Sequence, residues 1–347
     1  MRLFFRILFL RIAPFILVAI LMIGGERLYF RTHSAVIDLG NLDHAWLYIP
    51  TGAPYSEVKD SLYLHGYVVR KNLFENYVEL GNFDQFFKPG RYRLNNRMSA
   101  RDLVDLLIRG LQTPVNVTFH SIRNREELAG KVARQIEADS VNLLNVFSND
   151  TLLARYGVTP GTLFTMVIPN TYQMWWNSTA EEFIARMAKE SKKFWEGGRR
   201  EKADSIKLSI PEVVTLASII EKETAKNDEK PMIAGVYINR LQKKWPLQAD
   251  PTLIFAWNDV TITRVLDRHK LINSPYNTYK LNGLPPGPIC LPSIASIDAV
   301  LNYRHHEYMY FCAKEDFSGY HLFSSTLAEH NRNARRYQKA LAKQERK

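Results

Sequence analysis

The chain has 347 residues, 46% of them apolar and 23% charged, with a formal net charge of +11 and a pI near 9.5. That length suits two or three domains, and the balance excludes a disordered chain. The excess of basic residues suits an anionic partner, whether nucleic acid, a membrane surface or an acidic polymer. Two cysteines, Cys290 and Cys312, exclude a disulfide scaffold; with no CxxC or Cys/His ligand spacing, no metal centre is expected and both thiols are expected free and mostly buried.

From Leu3 to Ile23 nearly every residue is apolar, interrupted by Arg6, Arg11 and Pro14. This approximates the ~20 residues a helix needs to cross a bilayer. Arg2, Arg6 and Arg11 place the N-terminus in the cytoplasm and the bulk of the chain outside. A cleaved signal peptide is the rival reading, but Gly24-Gly25-Glu26-Arg27-Leu28 offers no clear small-x-small site. The expected topology is therefore a single-pass protein of the cytoplasmic (inner) membrane, with residues 1–25 as tip and anchor and 26–42 as a polar stem. An extracytoplasmic bulk argues against nucleic acid as the partner.

Residues 43–150 read as small βα modules: a strand over Trp46–Pro50, helices over Tyr55–His65 and Asn72–Leu80, and a turn at Lys88-Pro89-Gly90. A strand over Arg91–Leu94 and a helix N-capped by Ser99 follow, then a strand over Val115–Phe119 and a helix over Glu126–Ile136. Ser140 to Gly157 reads as a connecting helix pair. Ile168–Tyr172 reads as a turn, Glu181–Trp195 as a helix and Gly197–Ser205 as an exposed basic stretch. Residues 151–335 are expected to form a mixed α+β catalytic domain, followed by a solvated basic tail over 336–347. The expected fold class is α+β throughout the part beyond the anchor.

The densest chemistry starts at Pro211, placed where helices favour proline. On a wheel of about 100° per residue, Val213, Val214, Leu216, Ala217, Ile219 and Ile220 form one apolar arc. Glu221 and Glu223 fall within that arc, while Thr215, Ser218 and Lys222 lie opposite. A carboxyl on an apolar face is expected to have a raised pKa, as a general acid needs near neutral pH. The bland alternative is a pair of helix-end glutamates turned outward or paired with Lys222 or Lys226. A second helix is expected from Pro231 to Leu241. Beyond it come Leu247-Gln248-Ala249-Asp250-Pro251-Thr252, with Asp250 as a turn and N-cap, then Ser274-Pro275-Tyr276-Asn277-Thr278-Tyr279 and Gly283-Leu284-Pro285-Pro286-Gly287-Pro288-Ile289. Their amide, hydroxyl and aromatic groups suit sugar hydroxyls, acetamides and ring faces. A metal-dependent hydrolase built on Glu221, Asp250, His305, His306, His321 and His330 is disfavoured, because no HExxH-type spacing exists.

Taken together, Leu216–Thr224, Val236–Leu241, Leu247–Thr252, Tyr276–Tyr279 and Gly283–Ile289 resemble the endolytic murein transglycosylase family, also called MltG or YceG-like. Ile49-Pro50-Thr51-Gly52 and Gly90–Leu94 resemble its N-terminal region, part of which is LysM-like. The resemblance implies cleavage of the MurNAc-β-1,4-GlcNAc bond of peptidoglycan without water, leaving 1,6-anhydro-MurNAc ends and terminating nascent strands. It implies Glu221 as the single catalytic acid and base. Glu223, Asn239, Gln248, Asp250, Thr252, Tyr276, Asn277, Thr278 and Tyr279 are then expected to bind substrate or orient the site. No cofactor is implied. The expected partners are glycan strands, the membrane and peptidoglycan synthases; a non-catalytic wall-binding scaffold is the alternative. Phe164 and Asn170 stand where many members carry acidic residues.

Overall fold

A computed structural model describes residues 2–259, 261–262 and 264–344. The side chains of residues 2–13 and 31 lie outside the described ones, and so does more than half of the expected span Leu3–Ile23. Among the described residues, no helix is long and apolar enough to cross a membrane. The chain divides into two compact units, residues 1–116 with 173–178, and residues 117–172 with 179–347.

The first unit opens with α1 (Arg2–His33) and continues through β1 (His44–Ile49), α2 (Tyr55–Leu64), α3 (Lys71–Gly81), β2 (Gly90–Asn95) and α4 (Ala100–Ile108). β1 and β2 pair antiparallel from His44 opposite Asn95 to Ile49 opposite Gly90. Period-two alternation buries Ala45, Leu47 and Ile49 on β1 and Tyr92 and Leu94 on β2, against Val58, Leu62, Phe74 and Val78 of the two intervening helices. Ser99 caps α4 in a reciprocal capping box with Asp102. The expected polar stem differs. Val36, Ile37 and Leu39 are buried in this core, because the Val36 N–H donates to the Met98 carbonyl (2.8 Å) and the Val36 carbonyl accepts from the Val69 N–H (2.9 Å). Backbone pairing anchors the segment where no side-chain period announces it.

The second unit contains most of β3 (Val115–Phe119), α5 (Arg125–Ala133), α6 (Ser140–Phe147), α7 (Asp150–Ala154) and most of β4 (Asn170–Met174). β3 and β4 form one two-stranded sheet. Residues 117–150 are thus grouped with the later part of the chain, and the division falls near 116 where the sequence placed it near 150. The expected turn at 168–172 is partly strand, with Tyr172 and Met174 buried at alternate positions. Next come α8 (Ala180–Trp195), α9 (Arg199–Ser205), α10 (Ile210–Glu223), α11 (Lys230–Gln242), α12 (Asp250–Trp257) and α13 (Ile294–Leu301). The antiparallel pair β5 (Tyr310–Ala313) and β6 (His321–Ser324) precedes α14 (Leu327–Gln344). The stretch read as exposed and basic is α9, held by buried Ala203 and by an Arg199–Asp298 ion pair at 2.9 Å. The tail read as solvated continues α14 up to Gln344.

α10 is the axis of this unit. A capping box at Ser209 and Glu212 and a proline in the first turn start it, and every residue from Val213 to Ile220 is buried. The helix is therefore enclosed on all sides, not on one arc. Thr215 and Ser218, expected on the outer side, are buried and hydrogen-bonded: the Ser218 hydroxyl donates to the Thr215 carbonyl (2.7 Å) and accepts from the Ile289 N–H (3.0 Å). This second bond seats the Gly/Pro loop on the helix. Cys290, on that loop, is buried and Cys312 half-buried; both are free, and burial pushes the Cys290 thiol up to about 12.

Candidate active site

α10 delivers Glu221 and Glu223 at its last turn, where the chain leaves the helix through extended Thr224. Both residues line one groove of about 550 Å³, shared with Lys222, Asn227, Lys230 and Ser293. Four donors converge on the Glu221 Oε2 atom. They are the Ser296 hydroxyl (2.5 Å), the Ser293 hydroxyl (2.6 Å), the Lys230 ammonium (3.1 Å) and the Ser293 N–H (3.3 Å). Lys230 is only 3% exposed. Ser293 is the N-cap of α13, so the carboxylate of one helix end sits at the amide-rich start of another.

The electrostatics reverse the sequence expectation for Glu221. Burial pushes its pKa up, but the Ser293 and Ser296 hydrogen bonds and the Lys230 charge together outweigh it and hold the carboxyl below its ordinary value. The wheel located the carboxyl on a buried face but could not show the donors arriving from α11 and α13. Glu223 has the opposite environment. Burial, reinforced by the negative charge of Asp250, outweighs the Tyr237 hydrogen bond and the Arg240 charge and raises it to about 7. The fully buried Tyr237 hydroxyl donates to Glu223 Oε1 at 2.5 Å.

Glu223 also opens onto a second cavity of about 360 Å³, lined among others by Tyr237, Arg240, Gln248, Asp250 and Tyr279. Tyr279 donates to the Asp250 carboxylate at 2.5 Å. Burial and this bond push the phenol far above its ordinary range. Asp250 opens α12 as its first residue, whereas the sequence read it as the cap; Ala249 holds the cap position. Gln248 sits in a left-handed backbone conformation (φ +52°), fixed by its N–H bond to the Thr278 carbonyl (3.0 Å). For a non-glycine residue this is strained, and such strain gathers at functional sites.

Other expected site residues build the walls. Thr278 accepts from the Ala249 N–H (3.0 Å) and bonds the Thr252 hydroxyl (2.9 Å), joining two motif loops. Asn277, fully buried, donates to the Lys270 and Ile272 carbonyls. Tyr276 packs against Phe255, ring centroids 4.6 Å apart. Asn239 donates to the His306 and Tyr308 carbonyls. Phe164 is buried, and the Asn170 side chain accepts from the Thr171 N–H. Sequence reading missed Lys230, Ser293, Ser296, Tyr237 and Arg240. A serine pair Ser293-Ile294-Ala295-Ser296 ahead of an apolar helix was an available cap signal; Lys230 left none. Among the described residues, no group of three or more His, Cys, Asp or Glu is placed to hold a metal ion.

A buried helix ending in two glutamates, with the Gln-x-Asp-Pro-Thr and Gly/Pro loops seated around it, defines a family: the model of the YceG-like family matches residues 47–336, and the chain belongs to it. Among its relatives, a protein of Bacillus subtilis (strain 168) named endolytic murein transglycosylase is 29% identical, covering 91% of each chain. A Streptococcus pneumoniae protein (strain D39) of the same name is 26% identical over 92% of this chain, which spans 63% of that protein's length. The crystal structure of a YceG-like protein from Listeria monocytogenes aligns with a TM-score of 0.56 at 28% identity, covering 84% of this chain and 98% of that one.

Proposed function

We propose that this chain is a lytic transglycosylase of peptidoglycan, cutting the MurNAc-β-1,4-GlcNAc bond within glycan strands and leaving 1,6-anhydro-MurNAc ends. The observation that carries the reading is the Glu221 carboxylate, held by four donors inside a groove in a member of a family whose curated relatives bear the transglycosylase name. In this reaction the C6 hydroxyl of the muramyl sugar attacks C1. The sugar's own nucleophile replaces water, so the carboxylate pair that most glycosidases use as acid and water-activating base is not required. Glu221, ionised by its donors, is the base that takes the C6 hydroxyl proton. The single-glutamate scheme also asks the same group to give a proton to the glycosidic oxygen first.

The reading extends to the rest of the chain. The strand–helix–helix–strand order of β1, α2, α3 and β2 supports reading this part as a LysM-like glycan-binding module. The apolar run Leu3–Ile23 serves as a single-pass anchor, with the catalytic unit outside the cytoplasmic membrane. There the enzyme ends nascent strands beside the synthases that extend them. Gln248, Asp250, Tyr276 and Tyr279 are assigned to the substrate, and Thr252, Asn277, Thr278 and Asn239 to holding their loops.

The test is mass spectrometry of isolated glycan strands digested with the purified protein. Anhydro-ended oligosaccharides are expected from the native chain and none from Glu221→Gln. Hydrated reducing ends would refute the transglycosylase reaction, and intact strands that nonetheless sediment with the protein would mark a scaffold.

A further inference from the structure

Glu223 is the group that the single-glutamate reaction leaves without a task. It lines the same 550 Å³ groove as Glu221. Residues two apart on a helix do not face each other, but here the helix ends at Glu223, and the groove is lined by residues on both sides of that end, from Glu221 to Ala225. The two carboxyls differ in what surrounds them. Glu221 receives three hydroxyl or ammonium donors and a backbone N–H. Among the described residues Glu223 accepts its side-chain hydrogen bond from Tyr237, and it shares the adjoining cavity with Asp250. Arg240, whose charge acts on Glu223, donates its Nε to the Met309 carbonyl and Nη1 to the Leu247 carbonyl. Of the remaining titratable groups facing that cavity, Tyr310 and His330 stack on each other with centroids 5.3 Å apart, and Tyr279 is committed to Asp250.

We propose that Glu223 is the acid of the reaction: it donates the proton to the departing glycosidic oxygen, while Glu221 accepts the proton of the C6 hydroxyl. This rests on the transglycosylase reading. The step balances. The C1–O4 bond breaks and O4 leaves as a hydroxyl carrying the Glu223 proton. The C1–O6 bond forms, and the O6 proton passes to Glu221. The enzyme ends with Glu221 protonated and Glu223 ionised, and transfer of one proton between them through the open groove restores the starting state. Two carboxyls whose surroundings push their pKa values apart are the usual signature of such a division of labour. Burial raises the Glu223 pKa to about 7, so about half of the Glu223 carboxyls carry the proton at neutral pH and most of them below it.

Leaving-group chemistry tests the assignment. A good leaving group departs without protonation, so it bypasses an acid but not a base. The full-length protein is assayed on glycan strands and on a 4-nitrophenyl glycoside of an oligosaccharide ending in MurNAc, with anhydro ends counted for both. Glu223→Gln is expected to lose about 10²–10⁴-fold on strands and to stay within about tenfold of native on the nitrophenyl substrate. Glu221→Gln is expected to be inactive on both. Tyr237→Phe guards against a Glu223→Gln variant that fails to fold. Removing a bond that lowers the Glu223 pKa should move the alkaline limb of kcat/KM on strands to higher pH and leave the nitrophenyl profile unmoved. Equal losses on both substrates, or an unmoved limb in Tyr237→Phe, overturn the proposal. If the native protein forms anhydro ends from neither substrate, the transglycosylase reading itself falls and the assignment with it.

Discussion

Lys230 is the most informative residue to remove, because its ammonium is buried and its main task is to face Glu221. The pair is 3.1 Å apart, with the lysine side chain 4% and the glutamate 23% exposed. At an effective dielectric of about 20, two unit charges at that separation attract by about 5 kcal/mol. Desolvation of the lysine offsets much of this, and a hydrogen bond to a charged group nets about 1.5–3 kcal/mol. Lys230→Met keeps the stem volume and deletes the charge, while both serines still hold the carboxylate. The expected stability loss at neutral pH is therefore about 1.5–3 kcal/mol. At roughly 2–4 °C per kcal/mol for a unit of this size, the melting temperature should fall by about 3–12 °C.

The sign with pH follows from Glu221. Its folded pKa lies below the unfolded one, so its contribution is fully present above the unfolded value and is lost as pH falls through the folded one. The gap between native and Lys230→Met should be widest at neutral pH and close in acid. The acid limb of kcat/KM should move to higher pH, by about one unit for each 1.4 kcal/mol withdrawn from the ionised form. Thermal melts across pH and product assays on strands measure both. A melting temperature that falls while the acid limb stays in place would refute the claim that Lys230 tunes Glu221.

Glu221→Gln should reduce anhydro product by at least about 10²–10⁴-fold and also lower the melting temperature, because the buried Lys230 ammonium loses its counter-charge; timed digestion of strands at a temperature where the variant is folded, and thermal unfolding, measure the two effects. Thr278→Val leaves the buried Ala249 N–H without its acceptor and should cost about 1–3 kcal/mol in denaturant unfolding. It should also raise KM, because Gln248 and Asp250 flank that bond. Gly287→Ala would place a methyl 2.6 Å from the Gly161 carbonyl oxygen and 3.3 Å from the Tyr276 hydroxyl. Backbone cannot yield as a side chain does, so both stability and activity should fall, with melts and digests as the measures. Ser99→Ala removes the cap of α4 and should cost the first unit about 1 kcal/mol without changing turnover, read by melting and by rate.

Much of this was legible in the sequence because local rules decide it. The β1, α2, α3 and β2 boundaries follow alternation, helical period and the turn at Lys88-Pro89-Gly90, each set within a few residues. The α10 start follows its proline and capping box. Non-local pairing was not legible. β4 forms because β3 offers it a partner, and α9 is fixed by Asp298, 99 residues away. Residues 34–39 join the first core through backbone bonds that no side chain advertises. The site divides the same way. Glu221 and Glu223 were visible on the wheel, as were the loop motifs. Their protonation was not, since the groups that set it come from three other segments: Lys230, Tyr237 and Arg240 from α11, Asp250 from α12, and Ser293 and Ser296 around the start of α13.

That dispersal has a physical logic. A carboxylate in the last turn of a helix stands at the negative end of the macrodipole, where an anion is disfavoured. α10 alone would therefore push both of its terminal glutamates toward the neutral form, and burial would add to this. Two helix starts counter the effect at Glu221. The N-cap serine of α13 supplies a hydroxyl and an N–H, and the first residue of α11 supplies a buried ammonium. At Glu223 the helix start that meets it, that of α12, brings the Asp250 carboxylate and not a cation, and among the described residues the donor to Glu223 is a phenol from the interior of α11. The fold thus presents two identical side chains, two residues apart on one groove, with their carboxyl pKa values pushed in opposite directions. The difference comes from which helix ends meet at that point and not from the glutamates themselves. A substitution in α11 or α13 can consequently alter the chemistry of α10 without touching the substrate.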